Sequence, residues 1–477
     1  MSSEVHDCIV IGAGIQGSCT AYQLAKNKQK TLLLEQFVLP HSRGSSHGQT
    51  RIIRKAYEED FYTQMMQESY ELWAQLEKEA GVELYRCTGL LVMGPENGEG
   101  FSCLKATMQR HKIPTVVLEK QEFSQHIPNV TLTDGNGALM DTLAGVLYAD
   151  RALRAVQRLF QSSGGVIKDG EKVIDITPGA VVTVTTGSGV YRGRNLVITA
   201  GPWANTLLTH TGLQLPLKVV KINVCYWKEK IPGTYSVGQR FPCFIQMEPK
   251  EGEYDIYGLP SNEYPGLMKV CYHMGSETEP DERDKQTDRG DVDILMRYVT
   301  RCLPGLVPVP AVVESCMYTV TPDHHFVLDS HPTYGNIIIG AGFSEKHWLA
   351  VRGADSGVWW EGGVRKRKTV QLSGIVAALC SYSSCDALSP VKGAALEVSQ
   401  EALCGCLTVP NHRPISNLPF MSKILVGVES IVAFCSLFAV WILHLVSPFT
   451  SGTLLGLHLS DPDCPSKSLR HRFPAGC

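Results

Sequence analysis

The apolar positions of the chain follow two patterns. Short continuous apolar runs occur at Cys8–Ile11, Thr31–Leu34 and Ile337–Ile339. Runs of that length predict strands buried on both faces, as in a parallel sheet. Between the first two, Cys19–Lys26 has its apolar residues near helical spacing and predicts a helix. Elsewhere the pattern alternates. Ile222–Trp227 and the alternating stretch Met268–Tyr272 predict further strands. No internal repeat is present, and beyond residue 344 no period is sustained.

The turn between the first strand and the first helix carries Gly12, Gly14 and Gly17 in a G-x-G-x-x-G spacing. In such a unit the first glycine permits the turn, the second lets backbone approach a pyrophosphate, and the third lets helix and strand pack closely. The helix N-terminus offers free N–H groups to phosphate. The second predicted strand ends at Glu35, where a carboxylate accepts ribose hydroxyls and argues against a 2′-phosphate. Strand, turn, helix, strand and acid in register predict a dinucleotide site. The unit alone does not choose between FAD and NAD.

Composition narrows the partners. The chain has 477 residues and a net charge of −3, with 44% apolar and 19% charged residues. Nothing in that balance points to nucleic acid or to an acidic solvating tail. The 16 cysteines are too sparse for a disulfide scaffold, and Met1–Asp7 is too polar to open a secretory signal. Composition breaks near residue 344. Residues 1–344 carry 32 Lys/Arg against 38 Asp/Glu, and residues 345–477 carry 12 against 9. Seven cysteines lie in that shorter tail.

Several downstream segments bear candidate chemistry. The loop from Pro40 to Arg54 contains His47, Thr50, Arg51 and Arg54. It reads either as a solvated loop or as a loop against an anionic cofactor with an arginine left to clamp a carboxylate. Lys269 sits in an alternating stretch beside His273. There a lysine faces solvent or, if turned inward, supplies a fixed cation. Cys316 alone reads as a buried structural thiol. Tyr257 lies in a short Tyr-Gly-Leu-Pro segment.

The segments GSSHGQTRIIRKAY, LVITAGPW, GLMKVCYH, ESCMYT and IIIGAGFS, in this order and spacing, resemble the monomeric sarcosine oxidase family of D-amino-acid-oxidase-like flavoproteins. The resemblance runs from about Val5 to Ser344. It implies FAD as cofactor, covalently attached through Cys316. It implies Arg54 as the partner of a substrate carboxylate, Lys269 as the group that activates O2, and Tyr257 and His273 as pocket residues. His47, Thr50 and Arg51 then belong to the flavin-contacting loop, and Thr199-Ala200-Gly201 to a later turn against FAD. The implied reaction oxidises a secondary amino acid, such as sarcosine or L-pipecolate, to an imine, with O2 reduced to hydrogen peroxide. No metal is implied. The implied partners are a small amino-acid substrate and O2, the implied state is a monomer, and the implied compartment is the peroxisome.

The expected fold is α/β. A Rossmann-like FAD-binding domain (5–85, 145–215 and 326–344) is joined to a discontinuous mixed-sheet substrate domain (86–144 and 216–325), with a divergent C-terminal tail (345–477). In that tail the family continues Gly-His-Gly-Phe-Lys after Gly-Phe-Ser, whereas this chain reads Glu345-Lys346-His347-Trp348-Leu349. The family lysine falls at Leu349, so Lys346 does not inherit its clamp. The rival expectation is therefore a catalytically impaired or inactive form, either misfolded or membrane-tethered. Arg365–Lys368 reads as a solvated charge run or a nuclear address, and the cysteine pairs 380/385 and 404/406 lack zinc spacing. The 23 apolar residues 424–446 read either as a membrane span or as an incidental stretch. The chain ends Pro474-Ala475-Gly476-Cys477, without a peroxisomal tripeptide, so cytoplasmic and membrane-associated locations stand beside the peroxisome.

Overall fold

A computed structural model describes residues 4–262 and 264–344 of the chain. The tail 345–477 lies outside the described residues, and with it Lys346, Leu349, the basic run 365–368 and the candidate span 424–446. Among the described residues, no helix is long and apolar enough to cross a membrane.

The first strand, Val5–Ile11, sits between Thr31–Leu34 and Val190–Ile198 and pairs parallel with both. Val166–Lys168 extends the parallel set beside Thr31–Leu34, and Ile337–Ala341 pairs parallel with Val190–Ile198. Antiparallel strands Val173–Thr177, Val182–Thr186 and Val327–Ser330 complete an eight-stranded sheet among the described residues. Cys8, Val10, Leu33, Val197 and Ile338 pack on one face against the helices Ile15–Lys26 and Ala149–Ser162. Ile9, Ile11, Leu32, Leu34, Ile198 and Ile339 fill the other. Burial on both faces is what the continuous apolar runs predict.

The helix starts at Ile15, four residues before its expected first residue. Its first turn holds Gln16 and Gly17, so helical periodicity is not visible there, yet it is buried through Ala25. The strand likewise begins at Val5, because backbone pairing with residues 192–193 continues past the apolar stretch.

A second, nine-stranded sheet forms from Leu90–Pro95, Thr115–Val117, Asn136–Asp141 and six strands between Lys218 and Val320. Its longest strands, Lys218–Glu229 and Leu306–Val320, run antiparallel with Ile222 opposite Cys316. Leu267–Tyr272 pairs on the other side of Lys218–Glu229, with Lys269 opposite Tyr226. A three-stranded sheet of Thr50–Ile53, Gly145–Tyr148 and Tyr85–Cys87 lies between the two in sequence and carries the Thr50–Arg54 segment.

The turn after Val5–Ile11 is closed by contact. Gly12 has φ of +100°, and a Cβ on Gly17 would lie 1.9 Å from the Gly12 carbonyl oxygen. Backbone cannot be pushed aside as a flexible side chain can, so the cost exceeds the ~1–3 kcal/mol of ordinary overpacking. Gly17→Ala is expected to lower the thermal unfolding midpoint by many degrees or abolish soluble protein, as read by differential scanning calorimetry.

Candidate active site

A cleft of about 630 Å³ opens where the parallel strands end. Gly12, Gly14, Glu35, Ser46, Thr199, Ala200 and Gly201 line it, as do Phe343 and Ser344. The strand ends and the helix N-terminus converge because a parallel sheet delivers all its following loops to one edge.

Glu35 is 7% exposed and performs two tasks. Its Oε2 accepts from the Ala13 N–H at 2.8 Å and its Oε1 from the Phe37 N–H at 3.1 Å. The carboxylate thus locks the Gly-rich turn to the next loop, and lone pairs remain to face the cleft. His41 Nε2 stands 3.4 Å from Glu35 Oε1. Ser46 Oγ accepts from the Ile15 N–H at 3.0 Å, so the loop from Pro40 to Arg54 is pinned to the start of the helix.

That loop is solvated only in part, with Pro40, Ser42 and Gln49 exposed. Arg51 turns inward and donates to the carbonyls of Ser45 (2.7 Å), His47 (2.8 Å) and Thr50 (2.8 Å). A planar fork with several donors can brace one loop at three points. His47 donates from Nδ1 to the Gly44 carbonyl, which leaves Nε2 as an acceptor. Burial, opposed by that bond, pushes the His47 pKa down to about 4, with Arg51, Arg283 and Lys269 acting in the same direction.

A second, smaller cavity of about 80 Å³ adjoins the cleft, and His47, Gly48, Tyr226 and Glu314 line both. Arg51, Arg54, Tyr257, Lys269, His273 and Cys316 all line this cavity. Residues spread over more than 260 positions of sequence are therefore brought together. Lys269 is 4% exposed and points inward, its Nζ 3.4 Å from the Thr50 carbonyl. Arg54 lies over the Tyr57 ring, its Cζ 4.2 Å from the centroid. Cys316 is buried, with Sγ 3.8 Å from the Ser45 carbonyl.

The sequence reading did not single out Tyr226, Glu314 and Tyr318, which line this cavity. Tyr318 OH is 3.4 Å from both Tyr257 OH and His273 Nδ1. Burial pushes the Tyr257 phenol well above its ordinary range. Tyr264 OH donates to Glu314 Oε1 at 2.6 Å, and Tyr226 OH to Oε2 at 3.4 Å. Glu314 is the one carboxylate among the described residues lining the cavity. Period-2 alternation about Cys316 was the available signal, since residues 314, 316 and 318 share a strand face.

The residues present fit a dinucleotide. The Thr319 hydroxyl is buried, lines the large cleft and has no hydrogen-bond partner among the described residues. Buried polar atoms of native folds are rarely left so, and a cofactor edge would satisfy this one. Among the described residues no cluster could hold a metal ion.

A parallel sheet with a Gly-rich turn, an acid at its second strand and a roofing mixed sheet define a dinucleotide-dependent oxidoreductase. The family model described as FAD dependent oxidoreductase (DAO) matches residues 7–354. Human peroxisomal sarcosine oxidase is 55% identical over 344 residues, covering 72% of this chain and 88% of the relative. Monomeric sarcosine oxidase of Bacillus sp. strain B-0618 is 35% identical, covering 71% and 87%. Among solved structures, NikD, an amino acid oxidase, matches in fold with TM-score 0.65 at 24% identity over 73% of this chain and 92% of that one. The chain belongs to the FAD-dependent oxidoreductases of the DAO family and, within them, to the sarcosine oxidases. It is an FAD-dependent amine oxidase. The rival expectation of an inactive form is not favoured.

His47 yields a pH test. Its pKa falls on folding from an ordinary 6.5 to about 4, so the unfolded chain binds the extra proton between those values. Its stability contribution is intact above about 6.5 and is lost as pH falls toward 4. His47→Gln is expected to flatten that part of the stability curve in urea melts at pH 4.5 and 7.5, leaving the difference between the two smaller than in the parent.

Proposed function

We propose that this chain oxidises small secondary α-amino acids, of which sarcosine and L-pipecolate are the candidates, to the corresponding imines, with O2 consumed and hydrogen peroxide released. The observation that supports this reading best is the cavity itself. It gathers Arg51, Arg54 and Lys269 beside a buried thiol and a tyrosine–histidine group, next to a cleft that fits FAD. Bound FAD supplies the two-electron redox step, taking a hydride equivalent from the carbon bearing the amine and passing electrons to O2.

The chain's own residues bind and orient. Arg54 pairs with the substrate carboxylate, and its stacking on Tyr57 keeps the guanidinium plane fixed. Tyr257, His273 and Tyr318 hold one another through their polar atoms and position the amine. Lys269, buried beside the Thr50 carbonyl, aims its Nζ where negative charge develops on oxygen and stabilises it there. His47, neutral at physiological pH, presents an acceptor without adding charge. Cys316 would hold FAD as a thioether at the flavin 8-methyl carbon, the thiol losing its proton and the methyl C–H its proton and electron pair to the ring, which O2 would reoxidise. Thr50, Arg51 and the turn at Thr199 complete the cofactor contacts, with Gly12, Gly14, Gly17 and Glu35 at the pyrophosphate and ribose end.

The proposed domain division draws support from the two larger sheets, although its 85/86 boundary falls inside the strand Tyr85–Cys87. Residues 5–85, 145–215 and 326–344 supply the strands around the cleft, and 86–144 and 216–325 supply the mixed sheet over the cavity. The name of the Bacillus relative favours a monomer, and that of the human relative favours the peroxisome, a compartment suited to a peroxide producer.

Peroxide release by the purified full chain with sarcosine or L-pipecolate is the direct test. Arg54→Ala is expected to lower kcat/KM by about 10²–10³, since losing one partner of a buried charged pair costs about 2–5 kcal/mol. No peroxide from the parent with any secondary amino acid would overturn the reading. Lys269→Met is expected to slow reoxidation by O2 about 10²-fold in stopped flow, with anaerobic flavin reduction changed far less. Cys316→Ala is expected to leave flavin in the supernatant after acid precipitation, whereas the parent keeps it in the pellet.

A further inference from the structure

The turn Pro280–Lys285 belongs in sequence to the second sheet. It follows the strand Ser276–Glu277 and precedes the helix Gly290–Cys302. Yet its side chains fasten to loops of the first. Arg283 is 5% exposed, and its Nη1 donates to the carbonyls of Ser42 (2.8 Å) and Arg43 (2.9 Å), some 240 residues away in the chain. Asp284 takes Arg283 Nε at 3.1 Å and also the Arg43 guanidinium, joining the two arginines. At the other end of the turn, Asp281 accepts from Trp203 Nε1 at 2.8 Å and lies 3.8 Å from Lys172 Nζ. Ser42, Lys172, Trp203, Asp281, Arg283 and Asp284 all line the large cleft.

These ties are placed unlike ordinary core packing. Their residues line the cleft from both sides of the chain's sequence, and each tie ends on a segment that follows or precedes a strand of the first sheet. A buried arginine bonded to two carbonyls is costly to leave unpaired, so the loop is held at 42–43 for as long as the turn is seated. The same loop, a few residues on, carries Ser46 and His47, which line the cleft.

We infer that Arg283 is a positioning residue for the cofactor: by holding the Ser42 and Arg43 carbonyls it keeps the turn Pro280–Lys285 strapped across the cleft and sets how slowly FAD leaves. The inference rests on the flavin reading above. It concerns retention of the cofactor and not the chemical step.

The test uses the full chain carrying Cys316→Ala, in which flavin stays exchangeable whether or not a thioether forms in the parent. Release of FAD is followed by the recovery of free-flavin fluorescence on dilution, and amide exchange is measured on the flavin-free protein. Arg283→Ala is expected to speed release about tenfold or more, as befits loss of two charge-assisted bonds beside the cleft. Amide exchange is expected to rise in residues 41–47 and to stay unchanged in Val5–Ile11 and Lys218–Glu229. Release within twofold of the parent overturns the inference, and so does a rise matched by equal loosening of both sheets. If Arg283→Ala does not fold, Asp281→Ala cuts the other end of the strap at an exposed residue. Faster release supports the inference, and release at the parent's rate overturns it. A Cys316→Ala parent that takes up no FAD defeats the flavin reading and this inference with it. A parent that holds FAD beside a variant that releases it no faster defeats the inference alone.

Discussion

The site depends on one crowded junction. Gly12 and Gly17 meet with no room for a Cβ between them, and Thr199 closes the junction from the neighbouring strand, its Oγ1 donating to the Ile11 carbonyl at 3.0 Å. Two parallel strands and a helix are thereby fixed at one point. From that point the cleft opens on one side, and Glu35 ties the Gly-rich turn to the following loop on the other. Any residue with a side chain at 17 would pry the helix from the sheet, and the phosphate end of the cleft would go with it.

The cavity beyond is built against a different constraint, the gathering of like charge around one small space. Arg51, Arg54 and Lys269 line it together, while Glu314 is the only carboxylate among its described lining residues. Such a set is unfavourable unless each charge has a partner or a purpose. Arg51 directs three of its five donors to carbonyls and so braces the loop around it. Arg54 is stacked on Tyr57 and stays directed at the cavity. The low pKa of His47 follows from its burial in this setting. A cavity of this charge suits an anionic substrate group and developing negative charge, which is the demand an amino-acid oxidase makes.

The second sheet contributes more than a roof. Lys269, Tyr257, His273 and Cys316 stand on its strands or just beyond their ends, and register sets which of their side chains share a face. The turn Pro280–Lys285 reaches from the same sheet across to the first. Cofactor cleft and catalytic cavity are thus held in relation by charged hydrogen bonds as well as by apolar packing. Their fixed donors demand particular loop positions, whereas apolar packing tolerates small shifts.

Much was legible in the chain alone. The buried strands at Cys8–Ile11 and Thr31–Leu34, the turn glycines and Glu35 were readable because each depends on neighbours a few residues away. Family motifs carried Arg54, Lys269 and Cys316 as candidates, yet the residues themselves left Lys269 open between solvent and interior and the arginine loop open between solvated and bound. Only the tertiary structure decided those questions. Lys269 is inward because its strand pairs with Lys218–Glu229 and faces Thr50 from another sheet. Arg51 is a brace because Ser45, His47 and Thr50 curl around it. Tyr318, Glu314 and Arg283 went unread for the same reason. Their partners lie dozens to hundreds of positions away, and local pattern determines a strand or turn but not which distant element it will meet.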